Sequence, residues 1–279
     1  MVDFKLGVRL HDYGQGTVDE LFGKVVADGF SAVQLAYKKC VAGVMDYTDI
    51  TPALAAQTVA AEKKHGVEVA VLGTYVELAL DDEAQRLRNA ADFKSQIAVC
   101  KAIGARCMGT ETTNMALQPA GTSRERAQYL LCKSLEAVLP EAEAQGVTVA
   151  IEPVSYHSMN TPEAARRILD TMQSPALKII FDAGNLLAIE EVNAQAQLWE
   201  RVGRLLGDKI VVVHYKGQAF KPDGTNLPCP LEDSLIDFDS VFRMLRALPM
   251  DATLPVLREE AVPARAAGDI AIMKRHMRG

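Results

Sequence analysis

Four apolar stretches in the second half of the chain decide its architecture: Val147-Thr-Val-Ala-Ile-Glu152, Leu177-Lys-Ile-Ile-Phe-Asp182, Ile210-Val-Val-Val-His214 and Leu254-Pro-Val-Leu-Arg-Glu259. Each is short, bounded and apolar at nearly every position, the pattern of a parallel strand buried on both faces. Each also closes on a residue that can ligate a metal. The intervals from 152 to 182, 182 to 214 and 214 to 259 are 30, 32 and 45 residues, against roughly 31 for one βα unit of an eight-fold barrel. Consecutive barrel strands would therefore bring Glu152, Asp182, His214 and Glu259 to one rim, where such barrels keep their chemistry. Three carboxylates meeting there repel one another, and a divalent cation relieves that repulsion.

Working outward, the rest of the chain repeats the unit. Strands are expected at Phe4–Leu10, Ala32–Ala36, Val67–Leu72, Ala105–Gly109, Val147–Glu152, Leu177–Asp182, Lys209–His214 and Leu254–Glu259. Helices are expected at Val18–Asp28, Pro52–His65, Asp81–Ile103, Ser123–Gln145, Pro162–Met172, Glu190–Leu206, Asp239–Leu248 and Pro263–Met277. Glycines 29, 66, 104, 146 and 207 each stand at a helix end just before a strand, where a left-handed residue closes the helix. Thr51-Pro52 and Thr161-Pro162 place a capping hydroxyl before a proline at the first helical position. Strict alternation leaves a doubly wound sheet or a closed barrel. Eight units in 279 residues favour a single (β/α)8 TIM barrel over 1–279. No G-x-G-x-x-G follows the first strand and no P-loop occurs. The long last interval falls in a Gly-, Pro- and Asp-rich βα loop at about 216–233, expected as a lid or substrate wall.

A net charge of −6 argues against a broad nucleic-acid surface, which needs basic character. The five cysteines form no C-x-x-C pair and are odd in number, which fits free thiols in a reducing compartment. Met1-Val-Asp-Phe-Lys-Leu lacks a signal-peptide core, and no apolar run reaches the ~20 residues that span a bilayer. The expectation is a cytoplasmic protein with no membrane or nucleic-acid partner, acting on a small molecule.

An oxygen-rich site with one imidazole suits Mn²⁺, Mg²⁺ or Co²⁺ better than Zn²⁺. Glu260 competes with Glu259 for the last position. Strand alternation admits only one of them to the barrel, and the run Pro255-Val-Leu-Arg-Glu259 favours Glu259.

Glu152-Pro-Val, Phe181-Asp182-x-Gly-Asn-Leu, His214-x-Lys216 and the strand-end Glu259, with His11-Asp12 and Gly109-Thr-Glu111-Thr, together resemble the xylose-isomerase-like superfamily of sugar isomerase and epimerase barrels. The resemblance runs along essentially the whole chain. It implies that Glu152, Asp182, His214 and Glu259 are the metal ligands, and that Glu152 and Glu259 also form the acid/base pair across the substrate. Many members carry His where this chain has Asn185, and Asp where it has Gly217, so the substrate surroundings differ. His11, Glu111, His157, Asn185 and Lys216 are the expected substrate contacts, with Gln34, Tyr37 and Tyr75 as further candidates for the pocket wall. His65 and His276 fall on helices away from the rim and are expected to be solvated.

The resemblance implies a sugar or sugar-derivative isomerase or epimerase that removes a proton alpha to a carbonyl and forms a metal-stabilised enediolate. A dehydratase of the inosose or dehydroshikimate type begins with the same step. A non-catalytic sugar-binding barrel is a further alternative. A nuclease like endonuclease IV needs a histidine-rich multi-zinc site, and this chain has five histidines. Such barrels often form homo-oligomers, though no interface is legible.

Overall fold

The computed structural model describes residues 2–278. Eight parallel strands close into a barrel: β1 (Val2–Arg9), β2 (Ala32–Leu35), β3 (Glu68–Gly73), β4 (Cys107–Glu111), β5 (Val149–Glu152), β6 (Leu177–Asp182), β7 (Ile210–Tyr215) and β10 (Ala252–Arg258). The order around it is β1-β10-β7-β6-β5-β4-β3-β2. This is the (β/α)8 TIM barrel expected from the alternation. Two additional short strands, β8 (Gly217–Phe220) and β9 (Asn226–Cys229), form an antiparallel hairpin in the long loop after β7.

The barrel interior holds a compact set of small and branched side chains, among them Ala32, Ala70, Cys107, Ala150, Ile180, Val212 and Leu257. Packing there is tight enough to demand glycine twice. A Cβ on Gly109 would lie 2.6 Å from Ile180 Cδ1, and one on Gly7 2.3 Å from Leu257 Cδ2. The opposite faces of the strands pack on the helices. Phe181 meets Trp199 edge-on at 5.9 Å, and Tyr215 stacks on Phe238 at 4.1 Å. Burying aromatic area of this size is a large favourable contribution.

Helix ends follow the sequence punctuation in four of the five glycine positions. Gly29, Gly66, Gly104 and Gly146 adopt left-handed backbone after their helices. Gly207 does not: its φ is −55°, and helix Gln195–Leu206 runs on into a 3-10 turn at Gly207–Lys209. Its bare Cα leaves room for Leu248, since a Cβ would sit 2.5 Å from Leu248 Cδ2 and that side chain would have to shift. Thr51 and Thr161 cap their helices as expected, accepting from the backbone N–H of Leu54 and Ala164.

The strand registers place the site. Asp182 pairs with His214 across β6 and β7, and Glu111 with Glu152 across β4 and β5. Leu257 and Arg258 pair with His214 and Tyr215, so Glu259 follows one step above. The polar strand ends thus share one level. No described helix is long and apolar enough to cross a membrane, and all five cysteines are free.

Candidate metal and acid/base site

Parallel strands in register present their C-terminal residues as a ring, and here the ring is mostly charged. Glu152, Asp182 and His214 each offer a ligand atom within 4.8 Å of the others, and all three are at most 3% exposed. His214 Nδ1 lies 3.0 Å from Glu152 Oε2 and 3.3 Å from Glu259 Oε1. Neither approach is aligned as a hydrogen bond, so both nitrogens of this buried ring lack a hydrogen-bonding partner. Such orphaned buried groups are costly in a closed protein. A divalent ion among two carboxylates and an imidazole satisfies them, so these residues fit a metal. Glu259 stands beside this group with its second oxygen turned to Lys216.

Lys216 is the counter-charge of the floor. Its ammonium lies 3.0 Å from Asp182 Oδ2, 3.3 Å from Glu259 Oε2 and 2.7 Å from Asn185 Oδ1. Asn185 in turn donates to Glu152 Oε1 at 2.5 Å, and its backbone N–H is capped by Asp182. Both ends of this amide are therefore engaged in joining β5 to β7. A neutral imidazole also carries one donor and one acceptor, but on separate ring nitrogens rather than on the two arms of one amide.

The electrostatics follow from this crowding. Burial opposes the charge on His214, but the carboxylates of Glu259 and Glu152 prevail and push it up to about 9. Burial raises Glu152. Burial works in the same direction on Glu259, yet His214, Lys216 and Arg9 hold it well below the ordinary carboxylate range. Burial, reinforced by Glu152 and Glu259, raises Glu111 to about 8.

The remaining expected residues distribute around this floor. His157, in the loop after β5, is buried with Nε2 3.8 Å from Glu111 Oε2. His11 follows β1 and meets Tyr75 edge-on at 6.2 Å. Burial and the nearby Arg9 and Lys39 lower it to about 3, so its ring is neutral. Tyr75 is held by Gln34, whose amide donates to the phenol oxygen at 2.5 Å. Tyr37 points elsewhere: its hydroxyl bonds Thr58 on helix Pro52–His65 at 2.6 Å, so it belongs to the outer layer. His276 pairs with Asp239 and packs on Phe238 and Tyr215, with its side chain 11% exposed, so it is part of the helix packing and not the solvated residue expected. Gly217 starts the hairpin, and a Cβ there would meet Cys229 O at 2.2 Å. The hairpin backbone excludes any side chain at that point.

Two groups near the floor escape a reading of strand-end acids and histidines. Arg9, the last residue of β1, approaches Glu259 to 3.8 Å. Lys39, on the short helix Tyr37–Cys40, sits 3.2 Å above the Tyr75 ring. Arg9 could have been found, since it closes an apolar strand two residues before His11. Lys39 had no such signal.

A closed eight-fold parallel barrel with buried carboxylates, an imidazole and an ammonium at its C-terminal rim is a TIM barrel with a candidate site on the face where such barrels keep their chemistry. The chain belongs to the xylose isomerase-like TIM barrel family, whose profile matches residues 22–275. It is 28% identical over 140 residues to a 3-oxo-isoapionate decarboxylase from Pectobacterium atrosepticum, a stretch covering 48% of this chain and 47% of that protein. The chain thus spans about half the length of this curated relative. A 3-keto-D-glucoside 4-epimerase from E. coli shares the fold with a TM-score of 0.72 and 20% identity over 98% of this chain and 99% of that one. A xylose isomerase-like TIM barrel protein from Mycobacterium smegmatis, solved in complex with magnesium, superposes with a TM-score of 0.71 and 14% identity over 98% and 96%. At these identities the structural likeness concerns the fold.

Proposed function

We propose that this barrel is a divalent-metal-dependent isomerase or epimerase of a sugar or sugar derivative. The observation that carries the proposal is the pair Glu152 and Glu259. They stand on β5 and just after β10, two strands that β6 and β7 separate in the barrel order, and both reach the same His214 nitrogen. Glu152, Asp182 and His214, with Glu259 beside them, would hold the ion. When bound, Mn²⁺, Mg²⁺ or Co²⁺ supplies Lewis-acid polarisation of the substrate carbonyl and the adjacent hydroxyl.

The side chains supply the rest. One of the two glutamates takes the proton from the carbon next to the carbonyl, and the other returns a proton from the opposite side, inverting that centre. Lys216 keeps Asp182 and Glu259 together while charge develops on substrate oxygen. His11, Tyr75, Glu111 and His157 line the approach and bond the sugar hydroxyls. Neither nucleic acid nor membrane is part of this reading.

The test is solvent-proton exchange. A panel of ketoses and keto-sugars incubated in heavy water with Mn²⁺-loaded protein should show deuterium alpha to the carbonyl, with Glu152→Gln and Glu259→Gln losing at least 100-fold. Turnover unchanged in either variant would refute the mechanism. A second reading, favoured by the half-length likeness to a decarboxylase, is loss of CO₂ from a 3-oxo sugar acid. That reaction breaks the carboxylate carbon bond, leaves the same enolate and protonates it. Release of CO₂ from a 3-oxo sugar acid added to the panel distinguishes it from epimerisation.

A further inference from the structure

The seam between β1 and β10 carries a closed network of charged side chains just above the site. Arg9 donates through Nε and Nη2 to Asp12 Oδ1 at 3.0 and 2.7 Å. The same Nη2 donates to Glu260 Oε1 at 2.9 Å, and Nη1 lies 3.8 Å from Glu259 Oε1. The second oxygen of Asp12 accepts the backbone N–H of Ala261 at 2.9 Å. Three consecutive residues, 259 to 261, are therefore tied to the end of β1.

The tie holds an unfavourable turn. Glu260 has φ +55°, and the other positive-φ residue besides glycine, among those described, is Gln173 at an ordinary helix end. Left-handed backbone is disfavoured for a residue with a Cβ, and such strain persists where surrounding contacts over-determine it. Strand β10 ends at Arg258, and the turn keeps the two neighbouring glutamates on the separate sides that strand alternation assigns them. The side chain of Glu259 is 5% exposed and faces His214, whereas that of Glu260 is 47% exposed and faces Arg9. Closure of the barrel does not require the network, because β1 and β10 are already paired from Val2↔Ala252 to Val8↔Arg258.

We propose that Arg9 and Asp12 are positioning residues whose role is to aim Glu259 into the site by holding the left-handed turn at Glu260. The inference rests on the reading of Glu259 as ligand and base. Arg9 bridges the carboxylates of Asp12 and Glu260 with a geometry that only a planar fork supplies. Asp12 anchors the chain immediately beyond the strained residue.

The test uses protein stripped with EDTA and titrated calorimetrically with Mn²⁺. Asp12→Ala should weaken Mn²⁺ binding ~10–100-fold, the range for losing a group that orients a ligand. On a substrate found by exchange, it should lower kcat by a similar factor with KM within about threefold. Adding Glu260→Gly to Asp12→Ala should recover most of both losses, because glycine takes positive φ without the clamp. A role confined to stability would lower the melting temperature of Asp12→Ala and leave Mn²⁺ affinity and kcat of the folded protein unchanged, which overturns the proposal. Failure of Glu260→Gly to recover either quantity overturns it too. Should Asp12→Ala not fold, Arg9→Gln keeps the Asp12–Ala261 bond and is held to the same Mn²⁺ and kcat outcomes. Wild-type protein that binds no Mn²⁺ overturns the metal reading itself, a result separate from equal binding by wild type and variant.

Discussion

Replacing Lys216 by methionine keeps an unbranched side chain one atom shorter and deletes one buried charge. In the structure that charge is shared by Asp182 and Glu259 at 3.0 and 3.3 Å and by the Asn185 carbonyl. Removing one partner of a buried ion pair costs about 3–5 kcal/mol, because the other partner is left uncompensated. Two carboxylates lose their partner here, so the upper part of that range applies to the metal-free protein. For a barrel of this size each kcal/mol moves Tm by roughly 2–4 °C, which gives a fall on the order of 10–15 °C in EDTA. A divalent ion bound by Glu152, Asp182 and His214 would replace part of the missing charge. The loss in saturating Mn²⁺ should therefore shrink to less than half of the loss in EDTA. Urea denaturation of wild type and Lys216→Met, each with EDTA and with Mn²⁺, measures both gaps. Equal gaps under the two conditions, or a loss below about 1 kcal/mol in EDTA, would show that Lys216 is not the counter-charge of the metal ligands.

Asn185→Ala breaks both amide bonds between Glu152 and Lys216 and should weaken Mn²⁺ binding ~10–100-fold; calorimetric affinity equal to wild type would refute this. Burial, with Lys216 nearby, lowers His157 to about 4, so the folded state takes up its proton later than the unfolded state and stability falls as pH drops from about 6.5 to 4, by at most ~1.4 kcal/mol per pH unit. His157→Asn should flatten that slope in urea titrations at pH 7, 5.5 and 4.5, whereas parallel curves would contradict it. Gly217→Ala forces a Cβ onto Cys229 O and should cost ~1–3 kcal/mol while loosening the β8–β9 hairpin. Amide exchange at Gln218–Phe220 and Asn226–Cys229 is the check, and unchanged protection would show that the hairpin yields freely.

The order of strands and helices was legible because it rests on local rules. Buried parallel strands read as short apolar runs, and helices close on capping hydroxyls and glycines. The expected boundaries of β6 coincide with the observed ones, and every other barrel-strand end lies within two residues. The exceptions have tertiary causes. Gly207 serves clearance against Leu248 from a distant helix, and no local pattern distinguishes that from a helix cap. The loop at about 216–233 was visible as long and polar, but its hairpin depends on the β8–β9 register between Gly217–Phe220 and Asn226–Cys229.

For the site, strand parity and unit length were sufficient to bring Glu152, Asp182 and His214 to one level, since parallel strands with equal crossovers end on the same rim. The choice of Glu259 as the inward glutamate also followed from parity. What holds it there did not: Arg9 and Asp12 lie some 250 residues earlier, and the left-handed turn at Glu260 is decided by that encounter. The same holds for Lys216, which any sequence reading could offer as a substrate contact. Only closure of the barrel places its ammonium between Asp182 and Glu259, turning it into part of the floor. Periodicity is a property of the chain and survives in its letters. The pairing of buried charges is a property of the closed barrel, because the energy that selects it exists only once water has been excluded.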